Sequence, residues 1–183
     1  MRVGELPVSS ACAPTHPSAI SASPFSRHCA RNAACSARAA VVALDAKSGD
    51  VKWRYQRELP EELFQLHPTN RGVALYGDKV YMATVDACVV ALDAQTGEEV
   101  WDECIAEWRD GYYMTLSPMA ADGKIVVGVS GGEFGIRGFI AALDAQTGEE
   151  AWKTYTVPGP GEPGHETWSG DAWQTGGAPV WIQ

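Results

Sequence analysis

The 183-residue sequence predicts an all-β fold, a piece of a β-propeller, and three observations carry that prediction. The first is a repeat. "ALDAKSGDVKW" (residues 43–53), "ALDAQTGEEVW" (91–101) and "ALDAQTGEEAW" (142–152) place their tryptophans 48 and 51 residues apart. A period of this size belongs to solenoids, propellers and arrays. The second is that each copy reads as a hairpin: a β-rich run, a Ser/Thr-Gly turn, then a short strand carrying Trp. The third is a further strand opened by a glycine turn, "YGDKVYMATV" and "DGKIVVGVS", ahead of the second and third copies. About four short strands per repeat is the composition of a propeller blade. No segment sustains an apolar stripe at helical spacing for three turns, which excludes a helical repeat.

In chain order, residues 1–40 come first and look foreign to the rest. They carry four arginines against a single acid, Glu5, and show neither strand nor helix periodicity. The continuous apolar run of a secretory signal is missing, while the Arg- and Ser-rich, acid-poor character fits a transit peptide only loosely. The expectation is a non-native or disordered head, with folded structure beginning at about Val41. Residues 41–183 then form the propeller part. Within each repeat, Gly49, Gly97 and Gly148 supply the positive φ of the turn. Asp45, Asp93 and Asp144 are placed to accept the turn amides. Trp53, Trp101 and Trp152 are expected to fill the wedge between neighbouring blades, where a buried indole covers about 150–250 Å².

The net charge of −9 argues against a nucleic-acid partner, which needs a basic face. No stretch approaches the ~20 apolar residues that span a bilayer. Five cysteines (12, 29, 35, 88 and 104) contain no C-x-x-C pair and no histidine at zinc spacing, so a structural metal site is not expected. Cys88 and Cys104 lie in strand-like segments and pair only if their Cα atoms come within ~7 Å; two free, mostly buried thiols are the expectation. "HETW" (165–168) is half of a zinc motif with Ser169 in place of the second histidine, and reads as surface loop.

The richest stretch is "VVGVSGGEFGIRG" (126–138), five glycines around Glu133 and Arg137. A dinucleotide loop is excluded because a strand, "FIAALDA", follows where a helix should open. A plain tight loop, and a ligand site that needs backbone close to a flat group, both remain. Arg137 is read as an ion pair within the loop.

"ALDAxTGxxxW", "NRGVALYGDKVYMAT" and "GGEFGIRG" together resemble the quinoprotein alcohol dehydrogenases, eight-bladed propellers that carry pyrroloquinoline quinone (PQQ). The resemblance runs over roughly residues 41–183, which makes this chain about two and a half blades with tryptophan-docking repeats. It implies that Ser130, Gly131 and Gly132 contact the cofactor and that Glu133 ligates a calcium or lanthanide ion. It likewise gives Arg71 ("TNRGVAL"), Thr115 ("YYMTLSP") and Trp181 ("GGAPVW") cofactor contacts, Trp181 as the floor under the ring. Pro179 stands where the family often has a threonine, and is left out of the site. Gln65 and Leu66 stand where many members have adjacent cysteines, so the disulfide those members place against the quinone is lost. The family's catalytic aspartate, and the Asn and Asp that complete its metal shell, fall beyond the matched region. The family's cofactor-binding Glu near the N-terminus would fall in the stretch that the head replaces. No catalytic residue is therefore assigned, and the chain alone is expected to be inactive and poorly soluble. The resemblance further implies a periplasmic enzyme that oxidises a small primary alcohol by hydride transfer to PQQ, passes electrons to cytochrome c, and allows a homodimer at full length. The competing expectation is a non-catalytic propeller of the same repeat, a scaffold or assembly factor; the set Arg71, Thr115, Ser130, Glu133 and Trp181 distinguishes the two.

Overall fold

The computed structural model describes residues 19–22, 39–64, 66 and 69–181. Its hairpins form where the turn chemistry places them. Between β2 (Ala40–Leu44) and β3 (Val51–Gln56), Asp45 Oδ1 accepts the Lys47 and Ser48 amides at 2.9 and 3.1 Å, and Gly49 turns the chain at φ 77°. Asp93 repeats this between β6 (Cys88–Asp93) and β7 (Glu99–Cys104), and Asp144 between β10 (Phe139–Asp144) and β11 (Glu150–Tyr155). These amide bonds hold all three carboxyls below their usual pKa. Each hairpin shifts register just before its turn, which sets Trp53 opposite Ala43, Trp101 opposite Ala91 and Trp152 opposite Ala142.

Two four-stranded antiparallel blades are complete. One runs β4 (Ala74–Tyr76), β5 (Lys79–Ala83), β6, β7; the other runs β8 (Met119–Ala121), β9 (Lys124–Gly128), β10, β11. The third sheet has three strands, because β1 (Ala19–Ala22) pairs antiparallel with β2, Ala19 opposite Leu44 and Ala22 opposite Val41. This corrects the expectation that nothing folds before Val41: β2 would otherwise present an unpaired edge, and a four-residue segment is enough to pair with it. Residues 1–18 and 23–38 lie outside the described residues.

The core is made where blade meets blade. Val41, Ala43 and Trp53 pack with Val80, Met82, Val90 and Leu92 of the next blade. Tyr81, Val89 and Ala91 pack in turn with Ile125, Val127, Ala141 and Leu143. Trp53 Nε1 donates to the Ala94 carbonyl at 3.1 Å, and its ring lies on Gly97, where an added Cβ would come within 2.5 Å. Trp101 repeats the contact one blade on, donating to Ala145 at 3.3 Å with its ring on Gly148. The turn glycines thus answer a second demand besides positive φ: the preceding blade's indole takes the space of a side chain. Arg57 adds a polar tie, reaching Asp86 at 2.9 Å and Asp102 at 2.6 Å across the first seam.

Cys88 and Cys104 do not stay free. They sit directly opposite on β6 and β7, Cα atoms 3.8 Å apart, and form a disulfide. The pair follows from register: with Ala91 opposite Trp101, three steps outward in each strand bring the two sulfurs together.

Candidate functional site

Three loops from two adjacent blades meet at one cleft. Arg71 precedes β4, Thr115 lies on the segment before β8, and residues 130–133 link β9 to β10. Their meeting is enforced by backbone: Ser130 N–H donates to the Tyr113 carbonyl at 2.7 Å, and Arg71 N–H to the Thr115 carbonyl at 3.0 Å. A fourth segment returns alongside, with Val180 N–H bonded to the Val129 carbonyl at 2.9 Å, which brings Trp181 to the same place. The cleft so formed holds about 480 Å³ and is lined by residues that include Arg71, Thr115, Ser130, Gly131, Glu133 and Trp181. Of the seven residues expected to form a site, six are therefore brought together.

The polar groups are organised. Arg71 Nη1 donates to Thr115 Oγ1 at 2.6 Å and to its carbonyl at 3.2 Å, while the guanidinium stands 4.8 Å from the Trp181 ring centre. Thr115 and Ser130 hydroxyls lie 3.4 Å apart, and both residues are 3% exposed. Glu133 sits in a single 3-10 turn (Gly132–Phe134) with its carboxylate exposed, and accepts a hydrogen bond from the Tyr113 hydroxyl. Burial first, and the neighbouring carboxylate second, push the Tyr113 phenol well above its usual pKa, so it remains a donor at neutral pH.

The glycines of this loop have a different reason from the one expected. Gly132 does not line the cleft; a Cβ there would come within 2.9 Å of the Pro179 ring. At Gly128 and Gly138 it would come within 2.2 Å of the Val180 and Ala178 carbonyls, and at Gly131 within 2.1 Å of the Gly111 carbonyl. The missing side chains make way for neighbouring chain, the 177–180 segment above all. Only Gly131 also opens onto the cleft.

Other expectations resolve individually. Pro179, left aside, lines the cleft, as do Leu66, Thr69 and Tyr113; Gln65 lies outside the described residues. Tyr113 had a readable signal, since it stands two residues before Thr115 on an extended segment and so shares its side. Arg137 does form an ion pair, but with Glu162 at 3.0 Å in a different loop; its guanidinium also lies over Tyr155 at 3.9 Å. His165 and Glu166 occupy a surface 3-10 turn, as read.

The donor set suits a flat, multiply anionic ring. A fixed guanidinium and two buried hydroxyls supply donors at an edge, an indole supplies a flat face, and one carboxylate at the mouth supplies an oxygen ligand for a hard cation. Among the described residues that line the cleft, Glu133 is the one carboxylate, so a cation held there takes its remaining ligands from elsewhere. The one cluster with metal-ligand spacing among the described residues, Cys88, Asp102 and Cys104, contains the disulfide, whose sulfurs do not ligate.

Residues 32–183 match the family model described as the PQQ glucose/ethanol/alcohol dehydrogenase β-propeller domain. The chain is 40% identical over 160 residues to the quinoprotein alcohol dehydrogenase PedH of Pseudomonas putida, covering 78% of this chain and 27% of that protein. It is 42% identical over 155 residues to the quinohemoprotein alcohol dehydrogenase ADH IIB of Pseudomonas putida, covering 77% and 22%. Among solved structures it superposes on a europium-containing methanol dehydrogenase with a TM-score of 0.72 at 32% identity, covering 79% of this chain and 30% of that one. The chain thus spans about a quarter of the length of the curated relatives it matches.

Proposed function

The chain belongs to the PQQ-dependent glucose/ethanol/alcohol dehydrogenase propeller family, and from that premise we propose that it forms one wall of the active site of an alcohol-oxidising quinoprotein. The observation that carries the proposal is the convergence of Arg71, Thr115, Ser130, Glu133 and Trp181, from separate loops, on one cleft. Blade packing does not require this. A scaffold propeller needs the Trp–Gly docking and none of these groups, which is why the cleft supports the enzyme reading over an assembly factor.

PQQ, when bound, supplies the hydride acceptor, and a calcium or lanthanide ion beside it supplies a Lewis acid. The chain's own residues bind and orient. Arg71 presents a fixed cation to an anionic edge, braced by its bond to Thr115 Oγ1. Ser130 and Thr115 offer hydroxyls that are already shielded from water. Trp181 offers a flat apolar face, and Arg71 beside that face limits how far a ring can slide across it. Glu133, steadied by Tyr113, keeps a carboxylate at the mouth for the cation. Removal of the alcohol proton falls to a group outside the described residues. For the complete protein the proposal extends to a small primary alcohol as substrate, cytochrome c as electron acceptor and a periplasmic setting. Among the described residues no helix is long and apolar enough to cross a membrane.

The test is a titration of this chain with PQQ, with and without calcium or lanthanum, read by tryptophan fluorescence. Arg71→Ala removes a charge-assisted contact of about 1.5–3 kcal/mol and should weaken binding about 10- to 100-fold. Glu133→Gln should abolish the effect of the cation while PQQ still binds. Equal PQQ affinity in wild type and Arg71→Ala would refute the cleft as the cofactor site.

A further inference from the structure

The Cys88–Cys104 disulfide sits in polar company that a half-cystine does not use. Cys88 Sγ lies 3.3 Å from the Asp86 carbonyl oxygen and 3.6 Å from Asp86 Oδ2. Both neighbours are acceptors, and a disulfide sulfur has no hydrogen to offer them. The other carboxylate oxygen, Asp86 Oδ1, is buried and has no hydrogen-bond partner among the described residues. A buried acceptor left over in this way marks a place suited to a further polar group or an ion. A carboxylate oxygen of Asp102 lies within 4.8 Å of both sulfurs. Both neighbouring blades pack against the sheet that carries these residues, so the cluster lies in a complete stretch of the ring.

We propose that this disulfide is the closed form of a zinc site, in which Cys88, Cys104 and Asp102 ligate the ion once the sulfurs are reduced. A dithiol supplies two electrons and two protons, breaks the S–S bond and leaves as a cyclic disulfide; each cysteine then yields its thiol proton to solvent as zinc binds. The backbone already sets the ligands. Asp102 and Cys104 are two apart on β7 and share a side, and Cys88 stands directly opposite Cys104 on β6. Zinc holds sulfur at about 2.3 Å and carboxylate oxygen at about 2.0–2.2 Å, which spaces tetrahedral ligands ~3.5–4 Å apart. Rotation of two freed side chains reaches that spacing from the present cluster. The charge also balances, since two thiolates and one divalent cation leave the sum over Arg57, Asp86 and Asp102 unchanged. Cys88 is 1% exposed and anchors the site in the core, while Cys104 and Asp102 open it to solvent as the path of entry.

The test uses the full chain with Cys12, Cys29 and Cys35 replaced by serine, so that Cys88 and Cys104 are its only cysteines. The chain is reduced with a dithiol, freed of it, and titrated with cadmium alone, read by thiolate-to-cadmium charge-transfer absorption. A parallel titration with zinc alone is read by thermal melting in circular dichroism. The reduced chain should take one cadmium and melt higher with zinc, and the oxidised chain should show neither effect. Cys88→Ser and Cys104→Ser should each lose the cadmium band at the same metal concentration. Asp102→Asn should weaken cadmium at least about 10-fold, since even loss of an outer partner costs that much. Arg57→Gln breaks the same ion pair without touching a ligand and should bind cadmium no more weakly than its parent. Circular dichroism establishes that each variant is folded; should Asp102→Asn fail that test, Asp102→Ser replaces it. A folded reduced chain without a cadmium band, an equal band in the oxidised chain, or unchanged affinity in Asp102→Asn would each overturn the proposal. So would a reduced chain that unfolds and is not restored by zinc, or a loss in Arg57→Gln equal to that in Asp102→Asn.

Discussion

Replacing Trp53 with alanine should cost this chain about 3–5 kcal/mol, and replacing Trp152 about half as much. The figure for Trp53 rests on its surroundings. At 8% exposure almost the whole indole is out of water, about 200 Å² of mostly apolar surface, and at about 25 cal/mol per Å² its removal forfeits roughly 5 kcal/mol. The Ala94 carbonyl loses its 3.1 Å partner, about 1 kcal/mol, though water enters readily at this edge and recovers part of it. Partial collapse of Val41, Val80 and Leu92 into the space recovers some more, which brings the total into the range seen for large-to-small core changes. Trp152, 43% exposed, keeps about 125 Å² out of water and has no bond to lose among the described residues, so by the same reckoning it should cost roughly 2–3 kcal/mol. Urea unfolding followed by circular dichroism, at a concentration low enough to keep the protein monomeric, measures both. For a chain of this size the Trp53 variant should also melt about 10 °C below wild type. Equal losses, or a larger loss at Trp152, would refute the reading of Trp53 as an inter-blade staple, because the two sites differ chiefly in whether a following turn receives the ring.

Three further outcomes follow from the same structure. Peptide mapping without reductant should find Cys88 linked to Cys104, and Cys104→Ser should lower stability by about 3 kcal/mol, the value for a loop of this length. The depressed carboxyl of Asp93 contributes stability that is complete above its unfolded pKa of about 4 and is lost as pH falls through the lower folded value. Unfolding free energy should therefore decline from about pH 5 downward, and Asp93→Asn should make that decline shallower. Arg137→Ala removes the bonds to Val157 and Glu162 and the cover over Tyr155, so limited proteolysis should cut within residues 156–176 much faster than in wild type.

The propeller was legible because it is written three times in short range. Asp, Gly and Trp each act within a few residues of their own turn, and a 48- to 51-residue spacing leaves few architectures. The disulfide was equally available but requires counting register outward from Ala91 opposite Trp101, a step that composition does not suggest. Strand β1 was hidden for the opposite reason: "AISA" has no periodic signature, and pairing with β2 is decided by an edge that needs filling. In the site, Arg71, Thr115, Ser130, Glu133 and Trp181 were legible by resemblance, since 110 positions separate the first from the last and nothing local connects them. Arg137 was misplaced because its partner, Glu162, is 25 residues away. The glycines were seen correctly as clearance, but the thing cleared was the returning chain at 177–180, which no local pattern announces.

The Arg71–Thr115 bond has a mechanical side. Arg71 opens one blade and Thr115 leads into the next, so the pair spans the seam that the tryptophans close from the outer rim. A ligand gripping Arg71 and Ser130 together would therefore act as a clip on the inner rim, setting the angle between two neighbouring blades. Filling the cleft and fixing the curvature of the ring become a single event. By linkage, a ligand present at a hundred times its dissociation constant would add about 2.7 kcal/mol to the hold between those blades. On this view a ligand of the cleft is also a building element, and the order in which blades and ligand come together becomes a property of assembly.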